Sequence, residues 1–161
     1  MNRVRVAVVA LLLLPVIASS LALAEEVKTI KLTAGDKCPV CGMFVAKYPD
    51  FIAQIVFKDG SHAVFDGVKD LCKYYFDLAK YNPSRKTSDI ESLVVTDYYG
   101  LKPIDGLKAY YVEGSDVYGP MGKELIPFEK EEDAKEFMVD HAGETLLRFD
   151  EIDADMVKSL D

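Results

Sequence analysis

Basic side chains are scarce in this sequence: 19 Lys and Arg stand against 27 Asp and Glu, a formal net charge of −8. A surface of that sign repels phosphate backbones, which disfavours nucleic acid as a partner. Cysteine is scarce too. The three present, Cys38, Cys41 and Cys72, are an odd count, unlike the paired frameworks that staple small secreted domains. No second Cys-x-x-Cys, no Cys-x-x-His and no His-x-x-x-His accompanies Cys38-x-x-Cys41, so a structural zinc site lacks the second ligand pair it normally uses. A Gly-rich phosphate loop and a dinucleotide fingerprint are also missing. No short region assembles a nucleophile, a base and an orienting group, which favours a binding and transfer protein over an enzyme.

Long apolar runs are missing after the first residues. Arg3 and Arg5 precede an apolar run from Val6 to Ile17, and Ala22-Leu23-Ala24 follows just ahead of Glu25-Glu26. That order is the order of a secretory signal peptide, and residues 1–24 are expected to be cleaved after Ala24. The run is interrupted by Pro15, Ser19 and Ser20 and falls short of the roughly 20 apolar residues of a spanning helix. No Cys stands at the expected new N-terminus, so a lipid anchor is not expected and the periplasm is the expected location. Loss of Arg3 and Arg5 deepens the formal charge by two, to −10, which suits a soluble exported protein.

The remaining chain reads as alternating short strands and helices. Val27 to Leu32 alternates like an amphipathic strand, Ile52 to Phe57 reads as a strand, and Asp59-Gly60 turns it into a hairpin with His62 to Phe65. Asp66 is placed to cap a helix whose apolar stripe is Val68, Leu71, Cys72, Tyr75, Leu78 and Ala79 and which ends at Asn82-Pro83. Further strands are expected at Leu93 to Tyr98, Ala109 to Val112, Glu124 to Phe128 and Thr145 to Phe149. A second helix is expected from about Glu129 to His141, stopped by Gly143. The acidic end, from Asp150, is expected to be frayed or weakly helical.

Two halves share a rhythm. Each has a Gly-containing loop with a methionine (Gly42-Met43; Gly119-Pro120-Met121-Gly122), then a strand, a Phe followed by an acid (Phe65-Asp66; Phe128-Glu129) and an amphipathic helix. The expectation is therefore an α+β fold of two related ββα units packed as one compact domain. The first unit spans 25–83 and the second 84–152, joined at the polar stretch 84–91 and followed by a tail at 153–161. A pseudo-twofold axis would bring the two methionine loops together.

Cys38-Pro39-Val40-Cys41-Gly42-Met43 packs two thiols and a thioether into six residues. Three chemistries compete for it. Zinc would need Cys72 and His62 to complete a tetrahedron. A redox disulfide would need a thiolate with lowered pKa, typically at a helix N-terminus, whereas Gly42-Met43-Phe44 leads toward another Pro and a strand. Copper(I) is preferred, because thiolate and thioether are the soft ligands that select it, and Gly42 lets the loop fold tightly. Cys38 is an auxiliary ligand, a disulfide partner of Cys41, or neither. His62 is the best imidazole to complete the site, although its position on a short strand also suits a half-exposed surface residue. Cys72 and Met138 sit on apolar helix faces and read as core, and His141, on the face of Met138, reads as core or interface.

Cys38-x-x-Cys41-Gly42-Met43, Ala53-Gln54 in a strand, Phe65-Asp66 ahead of a helix containing Cys72, Gly119-Pro120-Met121-Gly122, Phe128, Asp133-Ala134, Phe137 and the close from Gly143 to Phe149 together resemble the NosL family, exported accessory proteins of nitrous oxide reductase. The resemblance spans Cys38 to about Ile152. It implies delivery of copper(I) to apo nitrous oxide reductase or its maturation machinery, and a fold in the treble-clef and mercury-lyase neighbourhood. It also implies sulfur ligands from Cys41, Met43 and Met121. Many family members look like lipoproteins, whereas this chain shows an ordinary cleavage site. The mercury-lyase neighbourhood raises organomercurial cleavage, which needs several pre-arranged thiols and an acid and has no local support in the sequence.

Overall fold

The computed structural model describes residues 27–161; the expected signal peptide lies outside the described residues. Strands β1 (Ala53–Phe57) and β2 (His62–Phe65) form the expected hairpin, with Ala53 opposite Phe65 and Val56 opposite His62. Every residue of β1 is buried, as befits a central strand covered on both faces. Helix α1 (Val68–Phe76) follows, and a one-turn helix α2 (Leu78–Tyr81) continues it after a break at Asp77. Strand β3 (Ile90–Thr96) then pairs with β1 on the side away from β2, and β4 (Pro103–Asp105) pairs with β3. The first sheet therefore has the order β2-β1-β3-β4.

The second sheet repeats this plan. Strand β5 (Tyr110–Glu113) is central, and a small hairpin of β6 (Tyr118–Gly119) and β7 (Gly122–Lys123) carries Pro120-Met121 at its tip. Strand β8 (Ile126–Phe128) pairs with β5 and leads into helix α3 (Glu131–Asp140), after which β9 (Thr145–Arg148) pairs with the other side of β5. The order β8-β5-β9 matches β2-β1-β3, with all pairs antiparallel and the helix inserted at the same point. The repeated element is thus ββαβ: the strand after each helix belongs to the sheet before it. The polar stretch 84–91 accordingly runs into the start of β3, and the chain crosses to the second sheet only after β4. The Tyr98 N–H joins the sheets by donating to Pro127 O at 2.9 Å. Among the described residues no helix is long and apolar enough to cross a membrane.

Two local expectations are corrected and a third, with two alternatives, is decided. Residues 27–32 form no strand; the Gln54 side chain pins Ile30 instead, accepting from its N–H and donating to its carbonyl. The amphipathic alternation is thus satisfied by one buried amide rather than by a strand neighbour. Asp66 does not cap α1: the N-cap is Gly67, and Asp66 turns its carboxylate to Cys41. The tail takes the second of its two expected states, a helix. Helix α4 (Ala154–Ser159), capped by Asp153, buries Val157 and Leu160 in the core that also holds Leu71 and Cys72, because those two apolar residues fall on one face three apart.

Candidate metal centre

The six-residue sulfur loop is a closed turn. Cys38 N–H donates to Met43 O and Gly42 N–H to Cys38 O, both at 2.9 Å, while Lys37 and Phe44 pair at its base. Closing it this tightly requires a left-handed residue, and Gly42 takes that role with φ +81°. The closure turns main-chain N–H groups onto the sulfurs, those of Cys41 and Val40 onto Cys38 and that of Met43 onto Cys41.

The other wall comes from the start of α1. Cys38 Sγ–H donates to Asp70 Oδ2 at 3.2 Å and Cys41 Sγ–H to Asp66 Oδ1 at 3.1 Å. The four residues bring one ligand atom each within 4.8 Å of one another. Cys38, Asp66 and Asp70 are 1%, 1% and 2% exposed, whereas Cys41 is half-buried and forms the open side. Asp66 Oδ2 is buried without a hydrogen-bond partner. An orphaned buried carboxylate oxygen is costly unless a cation meets it, so the donor set fits a bound metal ion.

Burial, before any other cause, pushes the Cys41 thiol up to about 11, and the adjoining Asp66 and Asp70 carboxylates push the same way against the Met43 N–H. Cys38, more deeply buried, is raised further for the same leading reason. Both cysteines are free and protonated at neutral pH. A metal ion entering here displaces protons from them.

The expected site residues divide. Cys38 and Cys41 stand together in the cluster. Met43 is half-buried at the end of the same turn. Met121 is 44% exposed at the tip of the β6–β7 hairpin, and its carbonyl accepts from Lys69 Nζ at 2.7 Å, on the helix that begins between Asp66 and Asp70. His62 begins β2, exposed, and lies outside the cluster; three residues of strand, about 10 Å, separate it from the end of β2 that leads to Asp66. Cys72 is fully buried in the core. His141 caps α3 against Asp116, with Nδ1 3.0 Å from Oδ1.

Asp66 and Asp70 were not read as site residues from the sequence. Asp66 lies just outside α1 and Asp70 in its first turn, so helical spacing alone does not pair them. Their meeting at the thiols is a tertiary matter.

Residues 29–157 match the sequence model of the NosL family. A relative from Stutzerimonas stutzeri, named copper-binding lipoprotein NosL, is 33% identical over 138 residues, 80% of this chain and 68% of the relative. Its name bears against the expectation that a lipid anchor is absent here. The crystal structure of the copper chaperone NosL from Shewanella denitrificans shares the fold, with a TM-score of 0.68 at 23% identity over 80% of this chain and 97% of that one. The matched span runs from before the sulfur loop into α4 and takes in both sheets: this chain belongs to the NosL family.

Proposed function

We propose that this chain is an exported, periplasmic copper(I)-binding protein that hands its ion to apo nitrous oxide reductase or to the machinery that matures it. The ion is cargo, held by the Cys41 thiolate and the Met43 and Met121 thioethers, with Cys38 as an inner sulfur. One observation carries this reading most: the Met121 hairpin is bonded to the same helix start that lines the cysteine loop. Two methionine loops some eighty residues apart thereby reach one end of α1. Cys41 and Met121 are accessible while Cys38 is not, an arrangement that lets an acceptor approach the outer ligands first.

Raised thiol pKa values weigh against a thiol-disulfide oxidoreductase, whose attacking sulfur must be a thiolate near neutral pH. The relatives' names, a copper-binding lipoprotein and a copper chaperone, favour a carrier over an enzyme as well. Titration of the reduced protein against a chromogenic copper(I) chelator tests the proposal. Met43→Leu and Met121→Leu should each weaken copper(I) binding; unchanged affinity in both would defeat the proposed ligand set.

The carboxylates favour a second reading. Two thiolates with two carboxylates make a four-ligand donor set that suits zinc, which prefers four ligands, better than copper(I). Zinc retained through dialysis by the wild type and lost in Asp70→Asn would support it.

A further inference from the structure

Lys69 is outside the cluster of donors but next to Asp70 in the chain. Its side chain is 1% exposed, a rare state for lysine and a costly one unless each donor is met. Nζ donates to Met121 O at 2.7 Å and to Leu160 O at 3.2 Å, and stands 3.7 Å from Asp161 Oδ1. The main-chain N–H of the same residue donates to Glu124 Oε1 at 2.6 Å. Glu124 also accepts from Leu125 N–H and lies against Gly67 and Gly119. Lys69 therefore grips the methionine hairpin at its tip, through the Met121 carbonyl, and just past its base, through Glu124.

The hairpin has little of its own to hold it. Each of its strands is two residues long, far below the length at which an isolated hairpin is stable in water. The Met121 residue is 44% exposed at the tip, yet its carbonyl turns inward to the buried ammonium. What the ammonium adds is position, since it ties the main chain of Met121 to the residue next to Asp70 while leaving the thioether free.

We infer that Lys69 is the positioning residue for Met121, fixing the hairpin so that the Met121 sulfur and the Cys41 sulfur face the same ion. The inference rests on the copper(I) reading and extends it to a residue that touches no metal. Pre-positioning lowers the ordering cost of binding, and holding only the main chain leaves the exposed thioether able to swing toward an acceptor.

The test uses protein purified after export, carrying ¹³C-methyl methionine, and begins without metal. In Lys69→Leu the Met121 methyl signal should narrow and move toward the value of free methionine, while that of Met138, on α3 beyond the reach of Lys69, stays in place. Copper(I) affinity should fall roughly tenfold, the scale of ordering one ligand at the moment of binding. Met121→Leu should produce a similar fall, and the double variant should be no worse than Met121→Leu alone, because Lys69 acts through that sulfur. Lys69→Arg should recover part of the loss. Lys69→Gln, which keeps a donor, replaces Lys69→Leu if the latter does not fold.

A Met121 methyl signal unchanged by loss of the amine would overturn the inference, as would losses that multiply in the double variant. A Met121→Leu protein that binds copper(I) like the wild type would remove the ligand assignment itself and this inference with it. The metal-free spectrum tells the two failures apart.

Discussion

Cys41 Sγ–H donates to Asp66 Oδ1 at 3.1 Å, across 25 residues of chain. A thiol hydrogen-bonded to a carboxylate keeps its proton, and burial reinforces the effect. Metal loading must therefore release protons. Apparent affinity should rise with pH between about 6 and 8, by up to about tenfold per pH unit for each thiol proton displaced. Chelator competition at several pH values checks this, and Cys38→Ser should reduce the slope if Cys38 is a ligand.

Glu124 yields a stability prediction of fixed sign. Burial raises its carboxyl to about 7 from 4.5, opposed by the Leu125 and Lys69 N–H groups it accepts from. Between these two values the unfolded chain has released the proton that the folded chain still binds. Folding stability contributed by this group is therefore full below about 4.5, falls as pH rises, and levels off above about 7. Denaturant unfolding of the metal-free protein at pH 5, 6, 7 and 8 should show the fall, and Glu124→Gln should flatten it.

Gly67 has no room for a side chain. A Cβ there would stand 2.1 Å from Glu124 Oε2, and that carboxylate cannot retreat without giving up the N–H groups of Lys69 and Leu125. Gly67→Ala should cost ~1–3 kcal/mol, measured by urea unfolding. The neighbouring Met121 hairpin should loosen in the same variant.

The acidic tail should behave as core. Leu160 is almost fully buried with Val157 in the cluster that holds Leu71, and Asp161 pairs with Lys73. Leu160→Ala should destabilise by roughly 2–5 kcal/mol, as for other buried leucines. A frayed tail would show no effect in the same unfolding measurement.

Much of the secondary structure was legible because its signals are local. The hairpin Ile52 to Phe65 announced itself by β-branched and aromatic runs around Asp59-Gly60, and α1 and α3 by apolar stripes at helical spacing. The sulfur loop was legible as a loop from Pro39 and Gly42. Val27 to Leu32 misled because alternation reports a half-buried extended segment, and a segment pinned by the Gln54 amide has the same pattern as a paired strand. The unit boundary expected at 84–91 rested on polarity, which marks solvent exposure and occurs within a unit as well as between units.

The sequence by itself determined the family, the β1–β2 hairpin with helices α1 and α3, and the concentration of sulfur at Cys38 to Met43, all properties of neighbouring residues or of motif order. Only the tertiary structure decided that Asp66 faces Cys41 rather than capping its own helix, and that Glu124 serves as that cap from 55 residues away. It likewise decided that a buried Lys69 holds the Met121 loop. The physical reason is that a carboxylate or an amine can satisfy any donor or acceptor of the right charge. Which one it meets is chosen by the packing of the two sheets and the docking of α4, and no residue spacing along the chain encodes that choice.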